Sequence, residues 1–575
     1  MFTEKDGIMD ILERPLSANE GIKARSNFLR GTIVESLGVV STGSLADDDT
    51  QLTKFHGFYQ QDDRDLRAER GKQRMEKAFS FMVRMRIPAG ILTPTQWLAA
   101  EKVAIQRANG TMRLTTRQTI QFHGIIKSNL RPAFQEMYTE MLDSIAACGD
   151  VNRNVVASVH PWAGKLHEAV AQTADGIATH LLPHSRAWHE IWIGEEKIAG
   201  GVEEAEPIYG KTYLPRKFKI AVALPPYNDV DALAQDLAFI AIVENGAVVG
   251  YNVAAGGGMG MTHGEPDTYP RPGDIIGFCT PDQVNDVAEK IVTVQRDNGD
   301  RSDRKHARLK YTMDRMGVDA FVAAVNERLD TKLQPARDFA FVSTGDRFGW
   351  VEGADGKSYF GMYIESGRVA GRKMEGLHKI AELGVGRFMI TANQNLAIAD
   401  IPAASRDAVA ALVAAYGLDQ KAGGLRRNAI ACVALPTCGL ALAESERYLP
   451  HLITRLEAVL DGLGLAEEEI TIRMTGCPNG CGRPYMSEIG LVGRTPGVYN
   501  LYLGASHTSM RMNKLFKRDV GEEAIVAALT PVFEAYARDR QPGEHFGDFV
   551  VRTGVVAETI TGLDFHENLS PELRS

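Results

Sequence analysis

Cysteine is scarce in this chain, with six in 575 residues, far too few to staple a secreted scaffold of that length. Long apolar runs are missing as well. No stretch reaches the ~18 uninterrupted apolar residues that a membrane span requires. The amino terminus, MFTEKDGIMDILERPLS, scatters acids and bases where a signal peptide would show a basic start and an apolar core. A cytoplasmic protein without a membrane segment is the expectation. Positive charge is not in excess either: the formal net charge of -9 leaves nothing to offset repulsion from phosphate, so nucleic acid is not an expected partner. A dinucleotide fingerprint is also lacking, because the glycines of GGGMGMTHG (Gly256 to Gly264) have the wrong spacing for G-x-G-x-x-G.

What is present is an ordinary globular composition, 44% hydrophobic and 24% charged, in a chain long enough for roughly three or four domains. The charge is unevenly placed. From Phe81 to Lys127 seven basic residues (Arg84, Arg86, Lys102, Arg107, Arg113, Arg117, Lys127) face one acid, Glu101, and smaller islands follow at Lys211, Arg216, Lys217, Lys219 and at Arg301, Arg304, Lys305, Arg308, Lys310. Islands of this kind in an acidic protein suit one anionic ligand or cofactor, though each alone could be a solvated face.

Segments recur in the same order. GTMRLTTRQTIQFHGI (Gly110 to Ile125) aligns with GRFMITANQNLAIADI (Gly386 to Ile401), RNVVASVHP from Arg153 with RNAIACVALP from Arg427, and GYNVAAGGG from Gly250 with VYNLYLGAS from Val498. The chain reads as a duplicated unit with pseudo-twofold symmetry. Thr93-Pro94-Thr95-Gln96 and Thr280-Pro281-Asp282-Gln283 both carry a capping threonine, a proline at the first helical position and a glutamine that closes the box. Helices should start at both. LAFIAIVENGAVVGYNV reads as a hairpin turning at Asn245-Gly246. Strands and helices alternate without strict βαβ order, so the fold class expected is α+β.

Two constellations carry chemistry. Cys432 and Cys438 stand in ACVALPTCG, and Cys477 and Cys481 in TGCPNGCGR. Two loops with two thiolates each can enclose a four-iron cluster; a structural zinc site is the alternative, although its pairs are usually spaced more closely than Cys432 and Cys438. Cys148 and Cys279 have no neighbouring partner and read as buried thiols. The second constellation is Met112 to His123. Alternation there puts Arg113, Thr115, Arg117, Thr119, Gln121 and His123 on one face of an extended chain with a bend near Thr116 to Gln118. In the second copy the same positions read Met389, Thr391, Asn393, Asn395, Ala397 and Ala399. One half of the scaffold therefore looks built for a polyanion and the other does not. Lys217 with Lys219, and Arg84 with Arg86, lie two apart and would project together from strands, a presentation suited to a small oxyanion.

With these residues assembled, the sequence closely resembles the sirohaem-containing sulfite and nitrite reductase family, and within it the haemoprotein (beta) subunits of NADPH-dependent assimilatory enzymes. The likeness runs from SNFLRGTI (Ser26) and FHGFYQQDDRDLRAERG (Phe55) through TRQTIQFHG, NRNV, TYLPRKFK and TANQNL to CPNGCG and FGDFVVRTG. It implies a three-lobed α+β architecture with duplicated halves: an N-terminal partner-docking extension (1–78), a duplicated ferredoxin-like central domain (79–148 with 340–424), a sirohaem and substrate domain (149–339) and a cluster domain (425–575). It implies Cys432, Cys438, Cys477 and Cys481 as ligands of a 4Fe-4S cluster, with Cys481 shared with the sirohaem iron. Arg84, Arg153, Lys217 and Lys219 match its substrate cations, and Arg113, Arg117, Gln121, His123, Arg216, Arg308 and Asn479 its contacts to the macrocycle. The activity implied is six-electron reduction of sulfite to sulfide, with electrons from a separate NADPH-dependent FAD/FMN flavoprotein (alpha) subunit. Nitrite reduction on the same cofactors is the rival within the family, and a non-catalytic iron-sulfur carrier the rival outside it.

Overall fold

The computed structural model describes residues 14–184, 190–193, 196–200, 206–353 and 355–562; most of the amino-terminal stretch weighed above as a signal peptide lies outside them. Both helix starts fall where the capping boxes put them. Thr93 accepts the Gln96 amide at 3.2 Å and Gln96 returns the bond to the Thr93 amide at 3.1 Å, opening helix Pro94–Arg107. The second box opens a short 3-10 turn, Pro281–Gln283, that runs into helix Val284–Asn298, whose Val284, Val287, Ala288, Ile291 and Val294 are buried. The hairpin turns at Asn245-Gly246, both at positive φ (51° and 76°), which matches the twist of its strands.

Two five-stranded sheets form the centre. In the first, Phe58–Asp62, Phe79–Arg84, Ile120–Ile125 and Met112–Leu114 are completed by Arg368–Val369 from the second copy. In the second, Gly349–Glu352, Lys357–Met362, Leu396–Pro402 and Arg387–Ile390 are completed by Ile91–Leu92 from the first. Each copy thus lends the other a two-residue strand. The crossings are tight, since a Cβ on Gly90 would lie 2.4 Å from the Ile390 carbonyl, and one on Gly367 2.4 Å from the Leu114 carbonyl. Trp97, fully buried, stacks on Phe388 of the other copy at 4.7 Å. Truncation of such a residue to alanine typically costs about 3–5 kcal/mol.

The remaining two large sheets repeat one another. Asp274–Cys279, Ala247–Ala255, Leu237–Glu244, Ile220–Ala223 and Val156–Ala157 lie in the same order, with the same parallel and antiparallel pairings, as Lys514–Val520, Val498–Leu503, Ile489–Thr495, Ile472–Thr475 and Ala429–Ala431. The duplication therefore extends beyond the central sheets. Bonds repeat too: Gln118 Oε1 accepts the Ala157 amide at 2.8 Å, and Gln394 Oε1 the Ala431 amide at 3.1 Å.

The described residues ahead of Phe79 are tied into the rest of the fold. Phe58–Asp62 is an edge strand of the first central sheet, Ser17 donates its amide to the Arg301 carbonyl at 2.9 Å, and buried Lys23 bonds the Leu214 carbonyl at 2.9 Å.

Candidate active site

Strands Ala429–Ala431 and Ile472–Thr475 are parallel neighbours, so the two cysteine loops leave their carboxyl ends side by side. The Gly476 amide lies 3.3 Å from Cys432 Sγ, and Asn479 Nδ2 lies 3.4 Å from Cys477 Sγ. Burial first, and the charge of Cys481 second, push the thiols of Cys432 and Cys438 up and that of Cys477 up to about 11. These three thiols resist ionisation by themselves, and a bound metal cluster reverses that logic by neutralising thiolates. The donor set fits a four-cysteine cluster. Gly480 closes the second loop at φ 63°, where a Cβ would meet the Met259 carbonyl at 2.5 Å; Met261 donates its amide to the Pro478 carbonyl at 2.8 Å. The glycine-rich run that is not a dinucleotide turn thus serves as packing for the cysteine loop.

The three basic islands converge beside that loop. Lys217 and Lys219 retain some exposure, yet surrounding protein strips enough water that burial, followed by neighbouring cations, lowers Lys217 to about 7 and Lys219 well below the usual lysine value. Arg308 and Cys481 act on both. Arg216, half-buried, is lowered to about 10 by burial and then by Arg304. Arg308 itself is buried and forks onto Asp236 at 2.6 and 3.1 Å. Arg153 bonds the Gly149 carbonyl at 2.9 Å through Nε. At Arg84 burial works against the charge, but Cys148, Tyr59 and Cys481 hold its pKa above the ordinary arginine value, and Nη1 lies 2.9 Å from Cys148 Sγ. Cys148 and Cys279 are buried thiols, as expected.

The bend expected near Thr116 to Gln118 is a tight hairpin turn. Met112–Leu114 and Ile120–Ile125 pair antiparallel, with Arg113 opposite Gln121, and Thr115 and Thr119 close the turn at 3.0 Å. Gln118 takes φ 53° there, and its side chain ties to Ala157. No glycine or asparagine marks this turn; the length of the alternating run alone points to a bend there. Arg113, Gln121 and His123 still share a face. Arg117 leaves it at the turn, bonding Gln235 Oε1 at 2.7 Å and the Ile220 carbonyl at 2.9 Å; burial, then Arg483, lowers it to about 9. Nor do Lys217 and Lys219 lie within a strand, since theirs begins at Ile220, although Phe218 between them bridges to Asn152. Gln121, with its amide turned to satisfy both groups, accepts Arg84 Nε at 3.1 Å.

Buried polar atoms on this wall remain without protein partners: Arg113 Nε, Arg117 Nε and His123 Nε2. Orphan donors among clustered cations suit a macrocycle rich in carboxylates. The second copy has no such demand. There Thr391 Oγ1 and Asn395 Nδ2 bond half-buried Asp346 at 2.6 and 2.8 Å, so the protein supplies its own carboxylate.

Sequence reasoning overlooked the residues that hold the cations: Asp236 under Arg308, Gln235 under Arg117, and Glu446, 3.3 Å from Arg113 and 2.6 Å from Arg368. It counted Lys310 only as a member of the third basic island. That residue is fully buried, its ammonium bonding the carbonyls of Gly258, Gly260 and Tyr269 and so shaping the glycine loop. Lone acids outside motifs offer no period or spacing by which to find them.

Comparison with known proteins bears on the family. The family model described as "Nitrite and sulphite reductase 4Fe-4S domain" matches residues 173–333, and "Nitrite/Sulfite reductase ferredoxin-like half domain" matches 73–138 and again 351–416. A "Sulfite reductase [NADPH] hemoprotein beta-component" of Methylobacterium nodulans is 56% identical over 96% of this chain and 93% of its own length. Its namesake from Myxococcus xanthus is 55% identical over 94% and 97%. Among solved structures, the NirA protein of Mycobacterium tuberculosis superposes with a TM-score of 0.76 at 25% identity, covering 94% of this chain and 97% of its own. By fold, by the twice-matched half domain and by identity along nearly its whole length, this chain belongs to the nitrite and sulfite reductase family, among the hemoprotein beta-components of NADPH sulfite reductase.

Proposed function

We propose that this chain catalyses the six-electron reduction of sulfite to sulfide, using a sirohaem joined to a 4Fe-4S cluster. The observation that carries the reading is convergence: four cysteines on two adjacent loops, and Lys217, Lys219, Arg84 and Arg308 gathered beside them, with Cys481 within electrostatic reach of both lysines and of Arg84. Cys432, Cys438, Cys477 and Cys481 would hold the cluster, and Cys481 would also ligate the haem iron. Arg113, Arg117, Gln121, His123, Arg216, Arg308 and Asn479 would meet the macrocycle and its carboxylates. When bound, these cofactors supply the metal that takes the sulfur and the store of single electrons.

The chain's own contribution is electrostatic. Arg84, Arg153, Lys217 and Lys219 would bind the oxyanion and polarise its S–O bonds. Lys217, lowered to about 7, can give up a proton near neutral pH as oxygen leaves as water. The electrons would come from an NADPH-dependent flavoprotein carrying FAD and FMN, in line with the word "beta-component" in the relatives' names. The amino-terminal face exposes Val34, Val39 and Val40, the last 98% exposed, on a segment pinned where Lys127 bonds the carbonyls of Val39 and Ser44 at 2.8 Å. It is the surface proposed for that partner.

Lys217→Met and Arg84→Ser test the assignment. Each should keep iron, acid-labile sulfide and the sirohaem spectrum, yet lose about 10²-fold or more in sulfite turnover. Wild-type turnover in both variants would remove these residues from the substrate site, and a higher kcat/KM for nitrite than for sulfite would reassign the substrate.

A further inference from the structure

Asp231, Arg473 and Arg483 form a buried ionic triad, with relative exposures of 0%, 1% and 5%. Asp231 Oδ2 accepts Arg473 Nη1 at 2.5 Å and also Arg483 Nε; Asp231 Oδ1 accepts Arg473 Nη2 at 3.2 Å. The second guanidinium is not satisfied by the carboxylate alone. Arg483 Nη1 donates to the Thr116 carbonyl at 3.1 Å and Nη2 to the Ala392 carbonyl at 2.9 Å.

Those two carbonyls occupy equivalent positions in the duplicated turns TTRQT and TANQN. Asp231 and Arg483 are themselves equivalent: each stands eight residues beyond the end of its strand, Ile220–Ala223 and Ile472–Thr475, and each is left-handed, at φ 47° and 56°. One arginine therefore sits on the pseudo-twofold axis, with its fork reading one carbonyl from each copy and its Nε facing the residue that symmetry would exchange with it. The neighbouring turn touches the cysteine loop directly, since Thr116 Oγ1 donates to the Cys481 carbonyl at 3.1 Å.

We propose that Asp231, acting through Arg483, is a positioning residue that fixes the Cys481 loop against the cationic hairpin. A buried ion pair is weak evidence of stability, because desolvation offsets much of its attraction, but it is well suited to setting register. Arg483 is two residues from Cys481, and the hairpin it grips carries Arg113, Arg117, Gln121 and His123. Loosening this joint moves a thiolate relative to the groups that face the macrocycle, without removing any ligand or cation of the substrate site. The inference rests on the reading of Cys481 as the thiolate shared by cluster and haem.

The test is Arg483→Lys in the purified holoenzyme. Lysine keeps a positive charge near Asp231, but one ammonium cannot hold the carboxylate and two diverging carbonyls together. Iron and acid-labile sulfide should stay at wild-type levels. The magnetic coupling between cluster and haem, read by Mössbauer and electron paramagnetic resonance spectra, should shift, and kcat should fall by about tenfold with KM for sulfite little changed. Thr116→Val, which removes only the bond to the Cys481 carbonyl, should shift the same spectra less and in the same direction. A loaded Arg483→Lys protein with wild-type coupling overturns the inference. Should that variant fail to load its cofactors, Thr116→Val with unchanged coupling overturns it equally. Absence of coupling in the wild type would instead sink the shared-thiolate reading itself.

Discussion

Single residues here are governed by burial before anything else. His167 is buried, and burial followed by the His160 imidazole pushes its pKa down to about 4. Against an unfolded value of about 6.5, the folded state resists this protonation, so the stability it contributes is complete above about pH 6.5 and is lost as pH falls toward 4, on the order of 3 kcal/mol in all. His167→Asn should therefore flatten the fall of the thermal midpoint over that range, because asparagine can still accept the His160 amide that Nδ1 accepts at 3.3 Å. Identical pH slopes in the two proteins would refute the assignment. At this scale the sequence displayed the cations and cysteines well, since each belongs to a motif or an island. It hid Asp236, Glu446 and Asp231, which act as counter-charges to Arg308, Arg113 and Arg473, 72, 333 and 242 positions away.

Elements were legible wherever a local rule forces them. The two capping boxes and the Asn245-Gly246 turn needed no tertiary information, because their geometry is set by neighbouring residues. At 115–119 the length of the run announced a bend but not a full reversal, as Gln118 is held at positive φ by bonds to Ala157, a partner 39 residues away. The Cys477 to Cys481 loop lies between these cases: its glycines announced a tight turn, but not what presses on it. Gly480→Ala should put a methyl into the Met259 carbonyl and strain a left-handed residue, costing about 1–3 kcal/mol. A lowered thermal midpoint together with reduced iron content is the expected result, and a fully loaded protein of wild-type stability would argue that the loop moves freely.

For the whole molecule, family membership and fold class could be read from motifs, while the manner of assembly could not. The amino-terminal segment, taken as an extension ahead of the duplicated unit, contributes a strand to the central sheet, so deleting it as far as residue 60 would damage the scaffold along with any docking surface. A surface substitution separates the two. Val40→Asp should lower NADPH-driven sulfite reduction in the complex reconstituted with the flavoprotein and leave reduction by a viologen donor intact; equal loss with both donors would mean that the core, and not docking, had been harmed. The lent strands Ile91–Leu92 and Arg368–Val369 carry the last consequence. Once each copy closes its sheet with a piece of the other, the pair is linked like two hooks, and neither can be shed, exchanged or inherited without its twin. A copy that stops serving the chemistry must still be kept as masonry, and so it is free to change its lining while its outline stays fixed.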